Sequence, residues 1–213
     1  MNTALVEKSV HISTDGLSLE GILSIPPEAK GIVVFAHGSG SSRLSPRNTF
    51  VAGQLQNNGI ASLLIDLLSA QEDEEYATRF DINLLTSRLI GITQWLQKNA
   101  DTKHLSLCLF GASTGAAAAL QAAARLGKSV RAVVSRGGRP DLAADVLDKV
   151  QSPTLLIVGG DDYGVIELNQ RAYAKIRCEK KLEIVKGATH LFEEPGTLEE
   201  VALLAARWFK KYL

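Results

Sequence analysis

The chain is poor in the residues that tie small proteins together through covalent bridges or metals. Its 213 residues include only two cysteines, Cys108 and Cys178, and four histidines. The cysteines lie far apart and in neither a CxxC nor a Cys/His spacing, so no disulfide framework and no zinc site is expected. Cys108 falls in an apolar run and reads as a small buried hydrophobe. Charge of either sign is also missing as a surplus, with 23 Lys and Arg against 23 Asp and Glu. That balance removes the electrostatic basis for nucleic acid or an anionic membrane as the main partner, and small molecules are expected instead. No apolar run approaches the ~20 residues of a membrane-spanning helix. The opening MNTALVEKSVHISTDG has no cationic flank followed by a long apolar segment. These absences together lead us to expect a soluble, cytoplasmic protein.

What is present is regular alternation. VHIS and LSLEGILSI flank TDG, whose Asp15-Gly16 pair signals a tight turn, so the chain is expected to open with an antiparallel hairpin. After Pro26-Pro27, GIVVFAH, IASLLIDLL, LSLCLF, VRAVVS, TLLIVG and KLEIV are near-continuous apolar runs, the pattern of strands covered on both faces. Between them come segments of helical period: NTFVAGQLQNN, DINLLTSRLIGITQWLQKN, TGAAAALQAAARLG, a shorter PDLAADVLDKV, VIELNQRAYAKI and the terminal TLEEVALLAARWFKKYL. Strands alternating with helices predict an α/β fold with a largely parallel sheet and helices on both faces. The length fits one domain, 1–213, without repeat or linker. The acidic SAQEDEEYATRF reads as a solvated loop. Trp208, Phe209 and Tyr212 on the last helix are expected to pack on the sheet, with a homodimer interface as the alternative.

Ligands of such sheets bind at the carboxyl ends of the strands. There, Gly111-Ala112-Ser113-Thr114-Gly115 matches G-x-S-x-G at a strand-to-helix corner, where the turn lifts a serine oxygen above the sheet and close packing demands small neighbours. A hydroxyl needs a base to take its proton, and the base needs a third group to hold its tautomer. His190 follows the KLEIV strand and is the candidate base. His11 lies in the hairpin and His104 at the amino end of a strand. His37 ends GIVVFAH and competes for the role. If the order is Ser, acid, His, then TLLIVGGDDYGV offers Asp161 and Asp162. Asp162 is preferred because it completes a Gly159-x-x-Asp162-x-x-Val165 spacing, which leaves Asp161 solvated or supporting its neighbour.

Attack on a carbonyl also requires donors aimed at the oxyanion. The backbone N–H of Thr114 is one candidate, and Ser39 in the loop HGSGSSR is the other. That Gly/Ser-rich loop could instead cradle phosphate, but neither G-x-x-x-x-G-K-[ST] nor G-x-G-x-x-G occurs.

The ordered set of opening hairpin, HGSGSS, GASTG, GGDDYGV and GATHLFEEPG, spanning essentially the whole chain, resembles the dienelactone hydrolase-like branch of the α/β-hydrolase superfamily. The resemblance implies a three-layer α/β-hydrolase fold with about eight mostly parallel strands. It implies Ser113, Asp162 and His190 as a catalytic triad, Ser39 and Thr114 as oxyanion donors, and no cofactor or metal. Dienelactone hydrolases proper use cysteine where this chain has Ser113, so their substrate does not carry over. SRGGRPDLAADVLDKVQSP, where many relatives insert a lid, is too short for a large cap, which implies an open site. Arg136 and Arg139 at that edge, with His37, are candidate substrate contacts; pairing of the arginines with Asp141 or Asp145 is the alternative. The expected activity is a serine hydrolase cleaving small soluble esters through an acyl-enzyme. A noncatalytic scaffold that binds a small ligand or protein partner is the alternative, and thioesterase, peptidase or acyltransferase chemistry would use the same triad.

Overall fold

The computed structural model describes residues 4–213. The hairpin expected around Asp15-Gly16 is formed by β1 (Val6–Thr14) and β2 (Leu17–Ile25), paired antiparallel. Asp15 and Gly16 both take positive φ, at 48° and 76°, which is the backbone a two-residue hairpin turn of matching twist requires. The following strands are β3 (Gly31–Ala36), β4 (Ala61–Ile65), β5 (Ser106–Ala112), β6 (Val130–Arg136), β7 (Thr154–Gly159) and β8 (Lys180–Val185). They complete an eight-stranded sheet in the order β1-β2-β4-β3-β5-β6-β7-β8, antiparallel at the hairpin end and parallel from β4 onward.

The helices are α1 (Pro46–Asn57), α2 (Ala70–Glu74), α3 (Ile82–Lys98), α4 (Thr114–Leu126), α5 (Tyr163–Lys175) and α6 (Thr197–Tyr212). Alternate residues of the central strands face opposite layers, as the strand period requires. Val33, Phe35, Cys108, Phe110, Ala132 and Val134 join a core shared with α1 and α6. Ile32, Val34, Leu107, Leu109 and Val133 join the one shared with α3 and α4. Because β3 and β7 are buried along their whole length and β5 everywhere past Ser106, only their ends can present chemistry to solvent. Trp208 and Phe209 are buried against the sheet, and Trp208 Nε1 donates to the carbonyl of Pro153, 3.3 Å away.

Two segments differ from the sequence expectation. The acidic stretch is not a plain loop. Ser69 and Glu72 form a reciprocal capping box that opens the short α2, and a turn of 3₁₀-helix follows at Thr78–Phe80. The segment PDLAADVLDKV folds as two 3₁₀ turns, Pro140–Ala143 and Leu147–Lys149, rather than one helix. It remains too short to form a separate cap. Among the described residues no helix is long and apolar enough to cross a membrane.

Candidate active site

Ser113 lies between the end of β5 and the start of α4 with φ 51° and ψ −119°, a region costly for a residue with a side chain. The surrounding chain holds it there. Its N–H donates to the Arg136 carbonyl at 3.2 Å, and its own carbonyl accepts from the N–H groups of Arg139 at 3.0 Å and Ala116 at 3.1 Å. The flanking glycines are sterically required. A Cβ on Gly115 would meet the Ala36 carbonyl oxygen at 2.2 Å, and one on Gly111 would meet Ala116 Cα at 2.4 Å. Helix α4 therefore abuts the end of β3, and the corner leaves Ser113 half-buried.

His190 and Asp162 come from the loops after β8 and β7. Asp162 Oδ2 lies 2.6 Å from His190 Nδ1. A carboxylate in that position accepts the Nδ1 proton and leaves Nε2 free to act as base. Asp161 is turned away, exposed, with its N–H given to the Ala188 carbonyl at 2.9 Å. The His190 loop is braced by a residue not singled out from sequence. The Glu194 carboxylate accepts from the Thr189 hydroxyl at 2.6 Å and the Thr189 N–H at 3.1 Å, and these bonds hold its pKa below the ordinary glutamate range. Gly137, at the end of β6, backs the histidine: a Cβ there would lie 3.5 Å from both Nδ1 and Cε1 of the ring. No hydrogen bond joins Ser113 Oγ to His190 among the described residues; such contacts are commonly loose until substrate binds.

The loop after β3 packs directly on the serine, since a Cβ on Gly38 would come within 3.1 Å of Ser113 Cβ. The N–H of Ser39 donates to Thr114 Oγ1 at 2.9 Å. The Thr114 N–H is in the first turn of α4, where backbone donors have no partner within the helix. His37, a candidate substrate contact, is held by backbone groups of two loops. It is buried, its Nε2 accepts from the Leu67 N–H at 3.1 Å, and its Nδ1 lies 3.0 Å from the Gly38 carbonyl. Those two contacts pin the β3 loop to the β4 loop, and both ring nitrogens are engaged in them.

The two arginines divide. Arg139 makes a two-pronged pair with Asp141, at 2.9 and 2.7 Å, as the structural alternative anticipated. Arg136 pairs with neither Asp141 nor Asp145. It is buried, its Nε and Nη1 have no hydrogen-bond partner among the described residues, and its guanidinium carbon stands 5.8 Å from the Phe192 ring centroid. Burial and the nearby Arg47 guanidinium bring its pKa down to about 10. An uncompensated buried charge of this kind is energetically expensive.

Recesses open beside these loops, the two larger of them as follows. One, about 350 Å³, is lined by His37, Ser41, Ser42, Arg43 and Asp66, with Arg43 bridging Asp66 and Glu20. The other, about 520 Å³, runs between α1 and the His190 loop past Arg47, Phe50, Phe192 and Glu193. The described residues contain no cluster of three or more His, Cys, Asp or Glu suited to a metal ion.

The model of the dienelactone hydrolase family matches residues 19–212. The crystal structure of a dienelactone hydrolase from Anabaena variabilis is 55% identical with a TM-score of 0.96, covering 98% of this chain and 99% of that one. Est1E from Butyrivibrio proteoclasticus shares the fold at 17% identity, with a TM-score of 0.83 over 96% of this chain and 98% of its own. Two Mycobacterium tuberculosis proteins, from strains CDC 1551 and H37Rv and provisionally named phosphoribosyl transferase, are 56% identical over 209 residues. That match takes in 98% of this chain but 47% of theirs, so the chain spans about half the length of these relatives. On the family match and the Anabaena structure together, the chain belongs to the dienelactone hydrolase family, with the α/β-hydrolase fold.

Proposed function

We propose that the protein is a serine hydrolase acting on small soluble esters or related acyl compounds. The observation that carries the reading is the 2.6 Å bond between Asp162 and His190 at the same sheet edge where Ser113 is held at positive φ. In this reading His190 Nε2 takes the Ser113 proton as Oγ attacks the substrate carbonyl. The oxyanion that forms is stabilised by the N–H of Thr114 and that of Ser39. On collapse, imidazolium gives its proton to the departing alkoxide and leaves an acyl-Ser113 ester. Water, deprotonated by His190, then attacks that ester to release the acid and restore the serine. Asp162 stabilises the imidazolium throughout, and no cofactor enters. The short 3₁₀ turns in place of a cap favour substrates that reach the site from bulk solvent.

The phosphoribosyl transferase name belongs to proteins about twice as long. Ser113, His190 and Asp162 are groups suited to carbonyl addition rather than to displacement at a sugar carbon. A noncatalytic scaffold is the competing reading for this chain alone. Turnover of 4-nitrophenyl acetate and butyrate, with Ser113→Ala as control, separates the two. Turnover that disappears in the variant supports the hydrolase. Turnover that persists in it removes Ser113 as the nucleophile, and absence of turnover from both proteins supports the scaffold.

A further inference from the structure

We infer that Asn169, in the body of α5, is a positioning residue that sets the place of Ser113 relative to the Asp162–His190 pair. Its effect on rate rests on the hydrolase reading; the tie it makes to the serine turn does not. Asn169 is 0% exposed, and its Nδ2 donates to the Gly138 carbonyl at 3.0 Å and to the Val165 carbonyl, one turn back in its own helix, at 2.8 Å. Its Oδ1 is sealed from solvent with no hydrogen-bond partner among the described residues. A buried amide left half satisfied lowers stability in a way that an apolar side chain of similar size would not, and such exceptions gather at functional sites.

What this amide holds is the backbone beside the serine. Ser113 gives its N–H to the Arg136 carbonyl and accepts the Arg139 N–H on its own carbonyl, so the turn 136–139 grips the strained residue from both sides. Between the two arginines stand Gly137 and Gly138. Gly137 has φ 51°, and a Cβ on Gly138 would meet Ser135 Oγ at 2.0 Å and Ala116 Cβ at 2.7 Å, so neither position takes a side chain easily. A pair of glycines is loose unless other groups fix it. Here the Gly137 N–H donates to the Ile157 carbonyl at 2.8 Å, and Asn169 supplies the tie to Gly138.

Helix α5 joins this turn to the other half of the site. It begins directly after Asp162, whose carboxylate lies 2.6 Å from His190 Nδ1, and Asn169 sits about two turns further along. One rigid element thus carries the acid at its start and the anchor of the serine turn in its body. Gly137, inside that turn, also backs the His190 ring. The spacing of base and nucleophile is therefore set from behind, where a misplacement of ~1 Å is enough to cost on the order of 100-fold in rate.

The test uses the whole chain and Asn169→Leu, which keeps the volume and removes the donor, with Asn169→Ala taking its place if the leucine variant does not fold. On 4-nitrophenyl butyrate, kcat is expected to fall on the order of 10- to 100-fold with KM within about two-fold, while the urea midpoint stays close to wild type or rises, because the orphaned amide oxygen is gone. The companion measurement is residue-resolved hydrogen exchange, in which the Ser113 and Arg139 amides should exchange on the order of ten-fold faster in the variant. A lowered midpoint with unchanged kcat, or a change confined to KM, overturns the positioning role. Unchanged exchange at Ser113 and Arg139 overturns the tie itself. Exchange needs no turnover, so an inactive wild-type protein would count against the hydrolase reading while the tie is still decided.

Discussion

The backbone N–H of Ser39 donates to the hydroxyl of Thr114 across 2.9 Å, joining the loop after β3 to the first residue of α4. The bond keeps the two proposed oxyanion donors in register before substrate arrives. It also means that the Ser39 N–H must share its hydrogen bond, or give up the one to Thr114, when the oxyanion forms. Thr114→Ser retains the hydroxyl and is expected to stay within a few-fold of wild type. Thr114→Val leaves Ser39 without a partner and is expected to lower kcat by ~10- to 100-fold, short of the full loss of one oxyanion donor, with KM little changed. Equal activity in the two variants would remove the bond from the mechanism.

Asp162 and Asp161 are adjacent in sequence but only Asp162 meets the histidine. Asp162→Asn cannot accept the Nδ1 proton in the same way and is expected to cost ~10²- to 10⁴-fold in kcat. Asp161→Asn should cost less than about three-fold, as expected for a solvated surface change. Steady-state kinetics of both variants on one ester decide the matter, and the reverse ranking would reassign the acid.

Gly115 carries the steric load of the corner. Gly115→Ala forces a methyl group into the carbonyls of Ala36 and His37, both backbone, so nothing can rotate away. A loss of about 3 kcal/mol or more in unfolding free energy is expected, at or beyond the upper end for overpacking. Gly164, in the first turn of α5, has nothing within 4 Å of an added Cβ. Gly164→Ala should be neutral or stabilise by up to about 1 kcal/mol through the unfolded chain. Urea denaturation of both variants provides the comparison.

Much of this arrangement was legible before the structure. Continuous apolar runs fixed the order of strands and helices, because a strand buried on both faces leaves little room for polar residues. The G-x-S-x-G corner identified Ser113 for a reason the glycine contacts make concrete. Less legible were features that depend on contacts between distant segments. The anchoring of His37 by Leu67 is invisible in a strand-end histidine read alone. Arg136 and Arg139 look alike three residues apart, yet only Arg139 turns toward Asp141, because Arg136 still follows the alternation of β6 and points to the α1 and α6 layer. Arg47 carries no local signal at all, since its setting comes from the His190 loop packing across α1. The capping box at Ser69 and Glu72 was readable as S-x-x-E, but the surrounding acidic residues favoured a loop.

Members of the family that use cysteine at the nucleophile position make thiol chemistry a useful control. Here Cys108 is buried in β5, and burial pushes its pKa up to about 12, so thiolate is scarce at neutral pH. Cys178 is half-buried, with its pKa also raised by burial. Iodoacetamide at pH 7 is expected to leave ester turnover intact and Cys108 unmodified, as read by mass spectrometry. Inactivation that tracks alkylation of either cysteine would point away from Ser113.

The most direct test of the central claim is the intact mass of the folded protein after exposure to a fluorophosphonate, with the modified peptide mapped and Ser113→Ala treated alongside. A single adduct on Ser113, absent from the variant, is the expected result and would mark an activated nucleophile. An unlabelled Ser113, or an equal adduct in Ser113→Ala, would contradict the assignment of the serine as the residue that attacks the substrate.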